Sequence, residues 1–167
     1  MFKKGETVYY GTAGVCKVND ICRSPFDPSD ERMYYVLEPS DFNVGTIIYA
    51  PADNDRVLLR SLMTEGEARD LSSSIPTLPT LEISNEKQRR EEYRNAMKDG
   101  TPEAIVRLIK TIYIRKIKGI KDKRRISDTD TDFDKVARRA LLGELCAVLG
   151  TPADEIESLI NSEMKKA

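Results

Sequence analysis

The sequence predicts an α+β chain in which a small five-stranded β-barrel precedes a four-helix domain. Three observations lead there. Runs of Val, Ile, Tyr and Thr alternate with Gly, Pro and Asp turns up to about residue 60. From Ile83 onward apolar residues recur at helical spacing, punctuated by Gly and Thr-Pro. Charge divides along the same line: residues 1–80 carry 8 Lys/Arg against 12 Asp/Glu, and residues 81–167 carry 19 against 16.

The first strand is Thr7–Tyr10, and Gly11-Thr12-Ala13-Gly14 reverses the chain into Val15–Val18, with β character continuing through Ile21 and Cys22. Two prolines among Ser and Asp make a surface turn of residues 24–30. Met33–Glu38 is the third strand and Thr46–Ala50 the fourth, entered past Asn43 and Gly45 and stopped by Pro51, which has no N–H for a ladder. Arg56–Arg60 is the fifth. Five short strands closed by turn chemistry argue a barrel of the SH3 or Tudor type over residues 1–63.

Thr64-Glu65-Gly66-Glu67 is a capping-box pattern that opens a short helix through about Leu71. The Ser/Pro-rich stretch from Ser72 to Thr80 reads as a semi-stiff connector, so residues 64–82 join the two parts. Residues 83–167 are then all helical. Ser84 or Asn85 caps the first helix, marked by Tyr93, Ala96 and Met97, and Gly100 ends it. Thr101-Pro102-Glu103 starts the second, with Ile105, Leu108, Ile109 and Ile112 in a stripe and Gly119 as its stop. The third begins in Ser127–Asp134, whose four aspartates suit a helix N-terminus; its inward face includes Val136, Ala137, Leu141 and Leu145. Thr151-Pro152 opens the last, with Ile156, Leu159 and Ile160 turned inward.

Composition excludes more chemistry than it admits. The chain has no histidine and lacks G-x-S-x-G, a CxxC pair and a Gly-rich phosphate loop before a helix, so neither an enzyme nor a bound metal or cofactor is expected. No apolar run could span a bilayer and no apolar segment follows the N-terminus, which points to a reduced, cytoplasmic setting where Cys16, Cys22 and Cys146 act as small hydrophobes. Neither a membrane nor a small-molecule substrate is an expected partner.

The strongest binding signal is electrostatic. Residues 107–125 carry nine Lys/Arg, among them Lys121, Lys123, Arg124 and Arg125, against the single acid Asp122. A run of that density favours a phosphate backbone, and Lys87, Arg89, Arg90 and Arg94 on the preceding helix flank it. Contact through the backbone, without base readout, is the expectation. In the fourth strand, Ile47 and Tyr49 share one face while Thr46, Ile48 and Ala50 share the other. One face lines the core; an outward Ile47/Tyr49 pair would be a docking patch, and Tyr49 as core filler fits the pattern equally well. A protein-only scaffold or an RNA-binding factor built on the same barrel remains an alternative.

The order of these pieces resembles a known family. Phe2-x-x-Gly5-Glu6-x-Val8-x-Tyr10-x-x-x-Gly14-x-x-x-Val18, then Tyr49-Ala50-Pro51, Val57–Thr64, Ala137-Arg138 and Leu142-Gly143-Glu144-Leu145 together resemble CarD-like (CdnL) bacterial transcription regulators. Their barrel also occurs as the polymerase-interacting module of the transcription-repair coupling factor. The resemblance implies a non-enzymatic regulator of initiation. Its barrel would extend a sheet of the RNA polymerase β subunit, and its helical domain would meet upstream promoter DNA and stabilise the open complex. The polymerase-facing strand maps onto Thr46, Ile47, Ile48, Tyr49 and Ala50, with Tyr49 at a position that is arginine in some members. DNA-proximal basic residues of the family's first long helix match Arg89 and Arg90. Many members also carry a wedging tryptophan early in that helix; this chain has no Trp, and the position falls near Glu86.

Overall fold

A computed structural model describes residues 1–40 and 45–167, so Asp41 and Asn43 of the turn before the fourth strand lie outside the described residues. The chain forms two compact units, Met1–Leu62 and Met63–Ala167.

In the first unit β1 (Thr7–Tyr10), β2 (Gly14–Arg23), β3 (Met33–Pro39), β4 (Ile48–Pro51) and β5 (Leu59–Ser61) form one antiparallel sheet. Its order is β4-β3-β2-β1-β5. Among the described residues β4 and β5 are therefore the two ends, and pairing that would close the sheet into the expected barrel is absent. The inner face follows the cross-strand register. Val8 lies opposite Cys16, Val18 opposite Leu37, and Tyr35 opposite both Ile21 and Ala50. Cys16, Val18 and Ile21 change parity along β2 because the register shifts between Val18 and Asp20, leaving Asn19 as the extra residue of a bulge. The bulge increases the local twist and keeps the apolar row on one side. At the β1–β2 corner Gly11 takes φ +43°, and a Cβ there would meet Val57 Cγ1 at 2.6 Å. Only glycine lets the chain pass so close to the segment leading into β5.

Two strands start later than expected, and β4 takes in Pro51, read as its stop. The fourth strand starts at Ile48, not Thr46, because β3 offers its last β4 partner at Leu37. The fifth starts at Leu59 because β1 pairs only with Leu59–Ser61.

The second unit contains five helices, not four: α1 (Glu65–Ser74), α2 (Glu86–Asp99), α3 (Pro102–Lys121), α4 (Asp128–Leu149) and α5 (Ala153–Lys165). Thr64 and Glu67 form the expected capping box. Helix α1 nonetheless runs through the three serines read as connector. Their hydroxyls donate to carbonyls one turn back, Ser72 to Ala68 O at 2.8 Å, Ser73 to Arg69 O at 3.1 Å and Ser74 to Leu71 O at 2.8 Å. Ala68, Leu71 and Ile75 then join the buried cluster of α2–α5. The following segment is clamped rather than free. Lys110 Nζ donates to the carbonyls of Ile75, Pro76 and Leu78 at 3.0, 2.7 and 2.6 Å. Arg107 donates to Pro79 O and Thr80 O, and Leu81 N–H donates to Thr111 Oγ1. Burial pulls the Lys110 ammonium below its ordinary pKa.

Asn85 is the side-chain cap of α2, and Gly100, at φ +62°, closes it. Thr101 caps α3 with Pro102 at its first position, but Gly119 sits inside the helix, which continues to Lys121. Val136 and Leu159, expected inward, are solvent-exposed, whereas Ala137, Leu141, Ile156 and Ile160 are buried. Buried Glu144, part of the Leu142–Leu145 motif, accepts from Met63 N–H at 2.9 Å and so fixes the chain just before α1. Among the described residues no helix is long and apolar enough to cross a membrane.

Candidate functional site

Among the described residues β4 pairs only with β3, which leaves its other edge free. Ala52 N–H donates to Met33 O at 2.8 Å, and the β3–β4 register carries that bonded pairing to Tyr35/Ala50 and Leu37/Ile48. Alternation along an antiparallel ladder then turns the N–H and C=O of Tyr49 away from β3, toward the free edge. Side chains alternate too, and here the structure decides between the two readings of this strand. Ala50 is buried and Ile48 packs against the sheet's core, while Ile47 and Tyr49 are 41% and 38% exposed. Thr46 is exposed just before the strand.

Beside Tyr49 stands an aromatic residue the sequence reading passed over. Phe26 is 72% exposed, and its ring meets Tyr49 edge-on at 5.3 Å and Tyr34 at 6.3 Å. The turn carrying it is pre-ordered by local hydrogen bonds. Ser24 Oγ accepts from the N–H groups of Phe26 and Asp27, and Asp27 Oδ1 accepts from Ser29 N–H at 2.8 Å. Asp30 and Arg32 form a forked pair at 2.7–3.0 Å, and Tyr34 OH donates to Asp30 at 3.1 Å. The Arg32 side chain holds the Asp30 carboxyl well below the usual carboxylate range. A lone Phe between two prolines was the available signal. An exposed ring held in place costs little entropy on binding, which is what a docking hot spot requires.

In the second unit the structure divides the basic cluster. Arg107 and Lys110 hold the segment after α1, Arg115 pairs with Glu86 at 3.0 Å, and Lys116 pairs with Asp134 at 2.8 Å. These four are structural. Arg89 joins them: its side chain is 13% exposed and donates to Asp130 Oδ1 at 2.8 Å and to Ser127 Oγ at 3.3 Å. Buried Tyr93 also donates to Asp130 Oδ1, at 2.9 Å, and burial raises its phenol pKa. Asp130 therefore ties α2 and α3 to the start of α4. Helix phase alone did not reveal that Arg89 faces inward beside Tyr93, because acids and bases fill most of α2.

Lys87, Arg90 and Arg94 lie on exposed positions of α2, Arg94 with Glu91 3.6 Å away. Lys121, Lys123, Arg124 and Arg125 are exposed at the end of α3 and in the loop beyond it. Glu86 shares one cleft lining with Arg124 and Arg125, which places the first turn of α2 beside that loop. The loop has defined geometry. Arg124 N–H donates to Gly119 O at 2.8 Å and Lys123 N–H to Ile120 O at 3.1 Å, the Schellman pattern, with Lys123 at the left-handed position, φ +54°. Glycine is the residue that position prefers; a side chain there costs about 1 kcal/mol. Lys123→Gly should accordingly raise the melting temperature by about 4 °C while removing one exposed charge. A lower melting temperature in a thermal scan would mean that the Lys123 side chain makes native contacts instead.

Residues 2–63 match one family model, described as the CarD-like/TRCF RID domain. A comparison of the whole chain with curated proteins gives no match. The matched segment takes in the entire five-stranded sheet, its free β4 edge and the Phe26 turn. By this match the first unit of the chain is similar to a CarD-like/TRCF RID domain.

Proposed function

We propose that the chain is a transcription-initiation adaptor whose first unit adds β4 as a strand to the RNA polymerase β subunit. The RID family is a non-enzymatic interaction domain that binds that subunit. The observation that carries the reading is the free β4 edge, with Tyr49 turning its backbone groups outward and Ile47 and Tyr49 both exposing their side chains. Phe26 supplies an anchor next to the added strand. The test is capture of purified β subunit by the full chain. Binding at micromolar concentration is expected, and its absence at tenfold higher concentration overturns the reading.

The helical unit in this proposal meets the backbone of promoter DNA and stabilises the open complex, in the cytoplasm. Lys87, Arg90, Arg94, Lys121, Lys123, Arg124 and Arg125 are exposed and suited to phosphates; Arg89 is not, because Asp130 and Glu86 occupy it. Duplex binding should be independent of sequence and fall steeply with salt. Changing Lys87, Lys121 and Lys123 together to Gln should reduce the slope of log K against log salt by about 2 to 3, since each lost phosphate contact removes about 0.9. An unchanged slope in a fluorescence-anisotropy titration would move the DNA site elsewhere.

A further inference from the structure

We propose that the cleft under the 122–127 loop is a binding site for a phosphoryl group. The proposal rests on the DNA reading for only one of its two sources of ligand. The cleft has a volume of about 240 Å³ and opens between the last turns of α3, the first turn of α2 and the start of α4. Five cations line it, Arg115, Lys116, Lys118, Arg124 and Arg125, against three acids.

Those acids already have partners. Asp130 accepts from Arg89 and Tyr93, Glu86 pairs with Arg89 at 3.2 Å and Arg115 at 3.0 Å, and Asp122 lies 3.3 Å from Arg124. Among the described residues Lys118 has no side-chain partner, and Arg124 and Arg125 hold only exposed pairs, which are weak and readily exchanged. Lys116 is held by Asp134, so the charge available to an anionic phosphoryl group comes from Lys118 and from Arg124 and Arg125 on exchanging their exposed pairs. The start of α4 adds to this. Its N-cap Ser127 makes no side-chain bond to the helix amides and instead accepts from Arg89, so uncapped N–H groups and the positive dipole end border the cleft. The volume fits one phosphoryl group and a few bridging waters, each taking roughly 30 Å³.

The phosphoryl group could come from a nucleic-acid backbone or from a free phosphorylated small molecule. Inorganic pyrophosphate titrated into the full chain at constant ionic strength, followed through backbone amide shifts, tests the site. The expected result is a saturable change confined to the neighbourhood of Gly119 and Ser127. Lys118→Gln and Arg124→Gln, both on exposed side chains, should each weaken it about tenfold, whereas Lys165→Gln, exposed on α5 and outside the cleft lining, should leave it unaltered. Competition assigns the source: a short duplex that displaces pyrophosphate identifies a backbone phosphate, and a duplex that does not identifies a free one. A response that fails to saturate, that chloride reproduces at equal ionic strength, or that survives both variants overturns the proposal. Duplex binding with no pyrophosphate saturation would remove this site and leave the DNA reading standing. Saturation by pyrophosphate with no duplex binding would do the reverse.

Discussion

Replacing Asp130 with alanine should destabilise the helical unit by about 3 kcal/mol, the usual cost of stripping one partner from a buried ion pair. Asp130 is buried and accepts from Arg89 at 2.8 Å and Tyr93 at 2.9 Å, with Arg115 Nε 3.5 Å away. Without it the Tyr93 hydroxyl is left buried and unpaired, and Glu86, more exposed, is the acid left to Arg89 and Arg115. For a unit of this size the loss should lower the melting temperature by about 12 °C or more. Asp130→Asn keeps an acceptor for Tyr93 and should fall between wild type and alanine. If the alanine variant melts within about 2 °C of wild type, the network does not hold the three helices together.

Tyr49→Pro should abolish measurable polymerase binding, while Tyr49→Ala weakens it by roughly 2 kcal/mol, the scale of a hot-spot aromatic. The two variants separate ring from backbone. Alanine removes the ring that packs against Phe26 and keeps the N–H. Proline also removes the N–H, which at Tyr49 points away from β3 and takes no part in the sheet's own ladder. Edge strands tolerate proline on the solvent side, so the melting temperature should barely change. Equal losses in the two variants would show that binding rests on side chains and does not extend the sheet.

Much of this molecule is legible from local chemistry. The β1 limits, the Thr64 capping box, the Asn85 and Thr101 caps and the Gly100 stop all coincide with residues whose preference acts within a few positions. Where reading failed, a distant partner decided. Serines 72–74 look like a linker until Leu71 and Ile75 find the core of α2–α5. Arg107 and Lys110 look like DNA ligands until carbonyls some thirty positions earlier in the chain fold onto them. Phe26 looks like turn filler until β4 brings Tyr49 beneath it.

By itself, then, the sequence determined the class of each half, the order of strands and helices, and the concentration of positive charge between residues 107 and 125. Periodicity, caps and net charge are properties of neighbouring residues, so they survive without a fold. Tertiary structure alone decided which face of β4 is outward, and which of those cations remain exposed. Both depend on pairing across large sequence separations: Val36 opposite Tyr49 in one unit, Lys110 against the Ile75 carbonyl in the other. Desolvation commits a charge or an aromatic ring to the interior only when such a partner arrives.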